Sequence, residues 1–379
     1  MDRRYWSINE SANFSLPVKN MYDCSKEVLG YHNDEVTLPQ SERGEMRDRR
    51  SANRDRLKAG LKKAEKPTPL EFKSQGSYAM KTMTQHPEKD YDIDDGVYFD
   101  AKELVGPRGG EMTALAARQM VRDALDDGIF KTKPEVRNNC VRIYYDADYH
   151  VDMPVYRRVV TTDLFGNDQV HHELASTDWK RSHARDVTAW FEDENNRQSP
   201  DTENGRQFRR ICRLSKKFTR SRSSWNDLIL SGFGITKLAT ECYRANARED
   251  VALRETMKAI RDRLNVNLIV KHPVTPGDTT TDGSDDPKAK FLRDKLSDGL
   301  KWLEPVDAAD CTPETAMQCW DKVFSTRYFT EQLEKSEANE LKSVNSVAPT
   351  ILKAGVLKEL GDTPAARAAV RKEGGGRYA

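Results

Sequence analysis

Along this chain the apolar positions alternate with polar ones in a few short early runs and recur every three or four residues later on. Alternation marks strands and the longer period marks helices. Residues 1–38 hold scattered aromatics (Tyr5, Trp6, Phe14, Tyr22, Tyr31) with little periodicity, which predicts a strapping segment with a short helix around Cys24–Leu29. Ser41 offers an N-cap to a long helix ending near Lys66-Pro67. Its apolar side is thin (Met46, Ala52, Leu57, Leu61), and Arg43, Arg47, Arg49, Arg50, Arg54 and Arg56 crowd its other faces. Such a run reads as a solvated face; a groove for an acidic ligand is the alternative.

A short strand at Leu70–Lys73 leads into a Gly-Ser turn, and Asp92–Phe99 alternates acidic and apolar residues as a second strand. Residues 101–112 read as a loop, Met112–Asp127 as a helix, and Val136–Tyr145 with Tyr149–Val160 as two strands joined across Asp146-Ala147-Asp148. From Ser182 the helical period takes over. Asp193–Gly205 is polar and reads as a loop, followed by helices at Phe208–Phe218, Leu228–Tyr243 and Asp250–Leu264. A polar loop, Thr275–Asp286, precedes two more helices, Ala289–Leu303 and Glu314–Leu341. A short Ala-rich helix follows Pro364, and Gly374-Gly375-Gly376-Arg377-Tyr378-Ala379 forms a flexible end. The expected domains are 1–200, a catalytic lobe with the long helix, 201–363, a helical lobe, and 364–379, a tail.

Composition narrows the picture. In 379 residues the net charge is +1, so no whole-protein field favours nucleic acid and any basic site is local. Cys24, Cys140, Cys212, Cys242, Cys311 and Cys319 form no Cys-x-x-Cys and no zinc spacing with histidine. Cys212 and Cys242 fall in helical apolar patterns as buried thiols, which points to a reducing cytoplasm. The start of the chain has no apolar run after its arginines, so no signal peptide is expected, and no run is long enough to span a membrane.

The candidate chemistry gathers in the strands. Asp92 and Asp94 share a strand face and repel unless a cation sits between them; Ile93 and Asp95 fall on the other face. That makes Asp95 the weaker metal candidate, although Gly96 could bulge the strand and undo the alternation. Asp90 is a further rival. Upstream, Gln75-Gly76-Ser77 offers backbone N–H groups and a hydroxyl suited to phosphate oxygens. Asp152 sits in a later β-like run, His150-Val151-Asp152-Met153-Pro154.

Gln-Gly-Ser, then Asp92-Ile93-Asp94-Asp95-Gly96-Val97-Tyr98, then His150-Val151-Asp152-Met153-Pro154 resembles the bacterial cGAS/DncV-like nucleotidyltransferases, a branch of the polymerase-β-like superfamily. The resemblance implies a bilobal α+β fold, with a small mixed sheet facing a helical lobe. It implies synthesis of a cyclic di- or trinucleotide from ATP, with GTP as a further substrate, in antiphage signalling. Asp92, Asp94 and Asp152 would hold two Mg²⁺ ions. Lys216, in Arg213-Leu214-Ser215-Lys216, matches the position that holds the donor triphosphate, and Ser231 opens the next helix, where hydroxyl and amides favour phosphate. Asp278 matches a loop near the bound nucleotides. Arg142 could reach a phosphate or simply point outward from its strand, and His150, on the same strand face as Asp152, reads as a packed histidine, with a contact behind the metal-binding aspartates as the alternative. Some relatives sit beside ubiquitin-transfer-like enzymes, which would make Ala379 a point of conjugation. The zinc loop of the DNA-sensing animal members is missing, so no DNA activator is expected. The rival functions are transfer to RNA ends or a small molecule, and a catalytically silent nucleotide-binding regulator.

Overall fold

The computed structural model describes residues 21–86, 91–145 and 149–357. Asp90, the 146–148 turn, the helix expected after Pro364 and the tail to Ala379 lie outside these residues. In chain order the elements are α1 (Ser25–Tyr31), a π-helical turn (His32–Val36), α2 (Gln40–Lys63), β1 (Glu71–Ser74), α3 (Gly76–Ala79), β2 (Asp92–Asp100) and α4 (Ala114–Leu125). The strands β3 (Glu135–Val136), β4 (Val141–Tyr144), β5 (His150–Met153), β6 (Val155–Thr162), β7 (Asp168–Ala175) and β8 (Trp179–Arg181) follow. The helical half is α5 (Ala184–Gln198), α6 (Gln207–Thr219), α7 (Gly232–Cys242), α8 (Glu249–Val266), α9 (Pro287–Trp302), α10 (Pro313–Phe324) and α11 (Tyr328–Leu357). The chain divides after Phe329 into two units; beyond that point the described residues are the rest of α11.

The sheet is mixed, in the order β3-β4-β5-β2-β6-β7-β8, with β1 antiparallel on β2. Both β5 and β6 run parallel to β2 in one continuing register, so the Tyr149–Val160 run is a single extended path interrupted at Pro154. Proline has no N–H to give the ladder, but its carbonyl accepts from Val97 N at 2.8 Å. Residues 161–181, where polar side chains carry the alternation, complete the β6–β7 hairpin and add β8.

On one side of the sheet α2 and α4 close the core, with Met46, Leu57 and Leu61 against Ile93, Val97, Phe99 and Val121. A side chain at Gly60 would run into the backbone of Ala124, so glycine is what allows the two helices to approach. Arg49, Arg50, Arg54 and Arg56 of α2 overturn the solvated-face expectation, while Arg43 and Arg47 stay exposed as expected. Arg54 donates to both oxygens of fully buried Asp95 at 2.6 and 2.5 Å, and Ser74 adds a third hydrogen bond. Arg49 lies over Tyr145 and Tyr149, Arg50 over Tyr78 and Arg56 over Phe130. Guanidinium planes stack on aromatic faces while their stems cover apolar surface, so a charge run becomes a packing face. The helix starts at Gln40 behind Pro39, placing Ser41 inside its first turn rather than at the cap.

Two further expectations are corrected. The polar stretch Asp193–Gly205 is helical as far as Gln198, because Phe191 and Asn195 turn inward one helical turn apart. The expected helix Glu314–Leu341 breaks at Ser325, which adopts a left-handed conformation (φ 53°). There Asp321 accepts from Phe329 N at 2.9 Å, and Phe329 packs against Tyr31, Trp320 and Phe324.

The strap at the start of the described chain packs on the helical lobe. Cys24 N donates to Asp250, Arg248 donates to the carbonyls of Met21 and Tyr22, and the Tyr31 ring packs tilted against Phe324. Beside it His32 is buried against Arg213, Asn33 and Thr37. Burial, then the charges of Arg213 and Arg210, push its pKa down to about 3.

Two stability predictions follow from this packing. Replacing Arg54 by Met strands the buried Asp95 carboxylate and should cost about 3–5 kcal/mol in denaturant unfolding; adding Asp95→Asn should recover most of it. The unfolded state protonates His32 near its ordinary value, far above the folded one, so stability is full above about pH 6.5 and falls as the pH drops from there towards 3. Between pH 7 and 5 this should remove about 2 kcal/mol, and His32→Gln should flatten the loss by that amount in chemical denaturation at the two pH values.

Candidate active site

Parallel pairing of β2 with β5 sets Asp92 opposite His150 and Asp94 opposite Asp152. Alternation then puts all four side chains on one face, above a cleft of about 750 Å³. Asp92 is exposed, Asp94 lies deeper, and Asp152 is buried. One ligand atom each from Asp92, His150 and Asp152 lies within 4.8 Å of the other two, and His150 Nε2 is 3.5 Å from Asp92 Oδ1. Asp95 points to the opposite side, onto Arg54, as alternation predicted.

The acids are electrostatically frustrated. Burial first, then the charges of Asp92 and Asp152, push the Asp94 pKa up to about 7. Part of the charge is offset by Arg142, opposite Asp152 on β4, whose guanidinium donates to both carboxylate oxygens at 2.7 Å. Arg142 lines the cleft, but its fork is committed to Asp152.

The turn before β2 is shaped around Asp94. Gly76 takes φ +60°, and the Asp94 carboxylate occupies the space a Cβ there would fill. Only glycine meets both demands without strain. Gln75 N donates to the Asp94 carbonyl at 2.8 Å, tying turn to strand. Gly76 and Ser77 line the cleft. Gln75 contributes no side chain to it: its buried amide donates to Tyr98 Oη (2.7 Å) and accepts from Tyr156 Oη (2.9 Å), between two stacked rings.

The opposite wall comes from α6 and α7. Four cations of α6 donate to carbonyls of the segment after the turn: Arg209 to Met80, Arg213 to Lys81, Lys216 to Thr82 and Lys217 to Gln85, at 3.1, 2.8, 2.8 and 3.3 Å. Lys216 is almost fully buried, and burial, then Arg220, push its pKa down to about 7. Its chain abuts Gly232 at the start of α7. Ser231 lines the cleft and caps α7, accepting from Gly234 N at 3.2 Å. Asp278 is exposed in a loop closed by His272 N donating to the Asp278 carbonyl (2.8 Å) and Thr280 N donating to that of Val270 (2.7 Å), and lies apart from the cleft lining.

Several cleft residues escaped the sequence reading: His86, Arg220, Asn226, Phe233 and Lys288. Arg220 lies one helical turn beyond Lys216, so the helical period could have found it. Lys288 and Asn226 reach the cleft through loop and helix placement that leaves no local signature.

The residues present suit divalent ions: carboxylates in mutual repulsion, a neighbouring imidazole, and an opposed cationic wall for polyphosphate. All six cysteines are free thiols, with Cys212 and Cys242 buried. Among the described residues no helix is long and apolar enough to cross a membrane.

Residues 70–156, which hold the turn and all three aspartates, match the nucleotidyltransferase domain of cyclic GMP-AMP synthase DncV-like proteins. An aspartate double mutant of the Vibrio cholerae di-nucleotide cyclase DncV superposes with a TM-score of 0.66 at 16% identity, over 82% of this chain and 97% of the other. Vibrio cholerae DncV with the linear intermediate pppA(3′,5′)pG gives 0.64 at 18% identity, over 81% and 97%. Escherichia coli DncV with 3′-deoxy GTP gives 0.62 at 15% identity, over 81% and 97%. Residues 70–156 are therefore similar to the DncV-like nucleotidyltransferase domain, and the chain has the bilobal mixed α+β fold of the DncV structures.

Proposed function

We propose that this protein joins nucleoside triphosphates into a cyclic di- or trinucleotide, using ATP with GTP as the further substrate, as a signal in antiphage defence. The observation that carries the reading is one cleft with strand-mounted Asp92 and Asp94 on one wall, Asp152 buried beside them in the strand register, and buried Lys216 on the other wall. The similar Vibrio cholerae enzyme has been captured with a linear pppA(3′,5′)pG intermediate, which supports stepwise linkage and closure in one cleft.

Asp92, Asp94 and Asp152 would hold two Mg²⁺ ions. When bound, such ions lower the pKa of an attacking hydroxyl and neutralise the triphosphate and leaving oxygen. The chain's own groups orient and screen. Arg142 holds both Asp152 carboxylate oxygens and fixes their direction. The Gly76-Ser77 turn, packed on Asp94, presents amides and a hydroxyl to phosphate oxygens. Lys216, with Arg220 one turn away and the N-terminus of α7 beside it, receives the triphosphate; an anion there restores the full charge that burial opposes. Turnover on ATP, GTP, CTP and UTP in Mg²⁺, with mass spectrometry of phosphatase-resistant products, tests the proposal. Linear products or transfer to RNA ends would overturn the cyclic reading.

Asp92→Asn with Asp94→Asn should reduce product at least about 10³-fold while leaving the thermal midpoint unchanged or raised, because the pair's repulsion is relieved. Lys216→Ala should weaken ATP binding by about 1.5–3 kcal/mol in calorimetric titration. Wild-type affinity in that variant would remove Lys216 from the triphosphate site.

A further inference from the structure

The three-aspartate assignment leaves His150 without a role. His150 and Asp152 are two apart on β5 and project from the same face, and β2 sets Asp92 directly against His150. All three are mounted on hydrogen-bonded strands, so their spacing does not depend on a loop. Donors around one ion at about 2.1 Å lie about 3 Å apart on adjacent octahedral vertices and about 4.2 Å apart across the ion. The separations within 4.8 Å among Asp92, His150 and Asp152 bring the trio within small side-chain movements of that arrangement. Asp94 stands outside the trio, with its carboxylate seated over Gly76.

The donor set is informative about the ion. Carboxylates and water satisfy Mg²⁺, whereas imidazole adds little for Mg²⁺ and more for ions later in the divalent affinity order. Arg142 already offsets one carboxylate, so charge alone attracts a cation less strongly than three bare acids would. A neutral nitrogen donor adds affinity where charge has been reduced, and does so selectively. We propose that His150 is a protein ligand of the ion held by Asp92 and Asp152, and that it biases this position towards Mn²⁺ over Mg²⁺. The inference rests on the reading of the acidic cluster as the metal site.

The test uses the full chain without nucleotide. Mn²⁺ binding is followed by electron paramagnetic resonance, Mg²⁺ by competition, and nitrogen coordination by pulsed measurement of the bound Mn²⁺. The wild type should show a histidine nitrogen coupling and prefer Mn²⁺. His150→Gln should abolish that coupling and weaken Mn²⁺ about 10-fold or more, with Mg²⁺ changed by less than about twofold. His150→Asp, which keeps an oxygen ligand, should bind both ions and lose the preference. Thermal melts check that each variant is folded. An absent coupling in the wild type, or an unchanged Mn²⁺/Mg²⁺ ratio in His150→Gln, overturns the role of His150 while Asp92→Asn still abolishes binding. Unchanged Mn²⁺ binding in Asp92→Asn would instead overturn the metal-site reading itself, and this proposal with it.

Discussion

The cleft depends on α6 holding the segment Met80–Gln85 by its carbonyls. That segment links the Gly76-Ser77 turn to β2 and has no regular structure up to Gln85, so its backbone acceptors need partners from elsewhere. Arg209, Arg213, Lys216 and Lys217 supply them from one helix of the other lobe. Charge-assisted donors on a rigid helix fix the direction as well as the distance of what they bind. The ladder therefore sets the cleft's width and holds Lys81 in a left-handed conformation (φ 55°) that a lysine does not favour. Lys216 belongs to both the ladder and the cleft wall, so the proposed triphosphate contact and lobe placement would meet at one amine.

Two arginine–aspartate pairs flank β2 and β5 and show how the same chemistry serves different ends. Behind the sheet, Arg54 neutralises fully buried Asp95 and ties α2 to the strand that carries the site. In front, Arg142 neutralises Asp152 but leaves Asp92 and Asp94 facing the cleft. The rear pair is complete and structural. The front cluster is left short of positive charge, and burial, together with the charges of Asp92 and Asp152, raises the Asp94 pKa. In the proposed reading, a metal-bound polyphosphate would supply the charge that this cluster lacks.

Alternation in Asp92–Phe99 was enough to assign Asp92 and Asp94 to one face and Asp95 to the other, because the period of a strand is a local steric property. Apolar spacing likewise marked α4, α6, α8 and α9, and the Gly-Ser turn could be read because glycine and serine favour turns and the two aspartate motifs follow in order. The limits came where environment decides. Asp152, Arg142 and His150 join the site through inter-strand register, which no local pattern states. The arginines of α2 look solvated in sequence, since a periodic charge does not reveal whether an aromatic face waits opposite. Gln75 sits in the motif, yet its side chain is taken by two tyrosines from β2 and β6. Glu192 carries no signal in sequence and meets Arg209 only in the packed structure. Local sterics and periodicity fix what each segment becomes, and they are written in neighbouring residues. Which charge meets which partner depends on residues far apart in the chain, and only the packing of the two lobes brings them within Coulombic and hydrogen-bonding range.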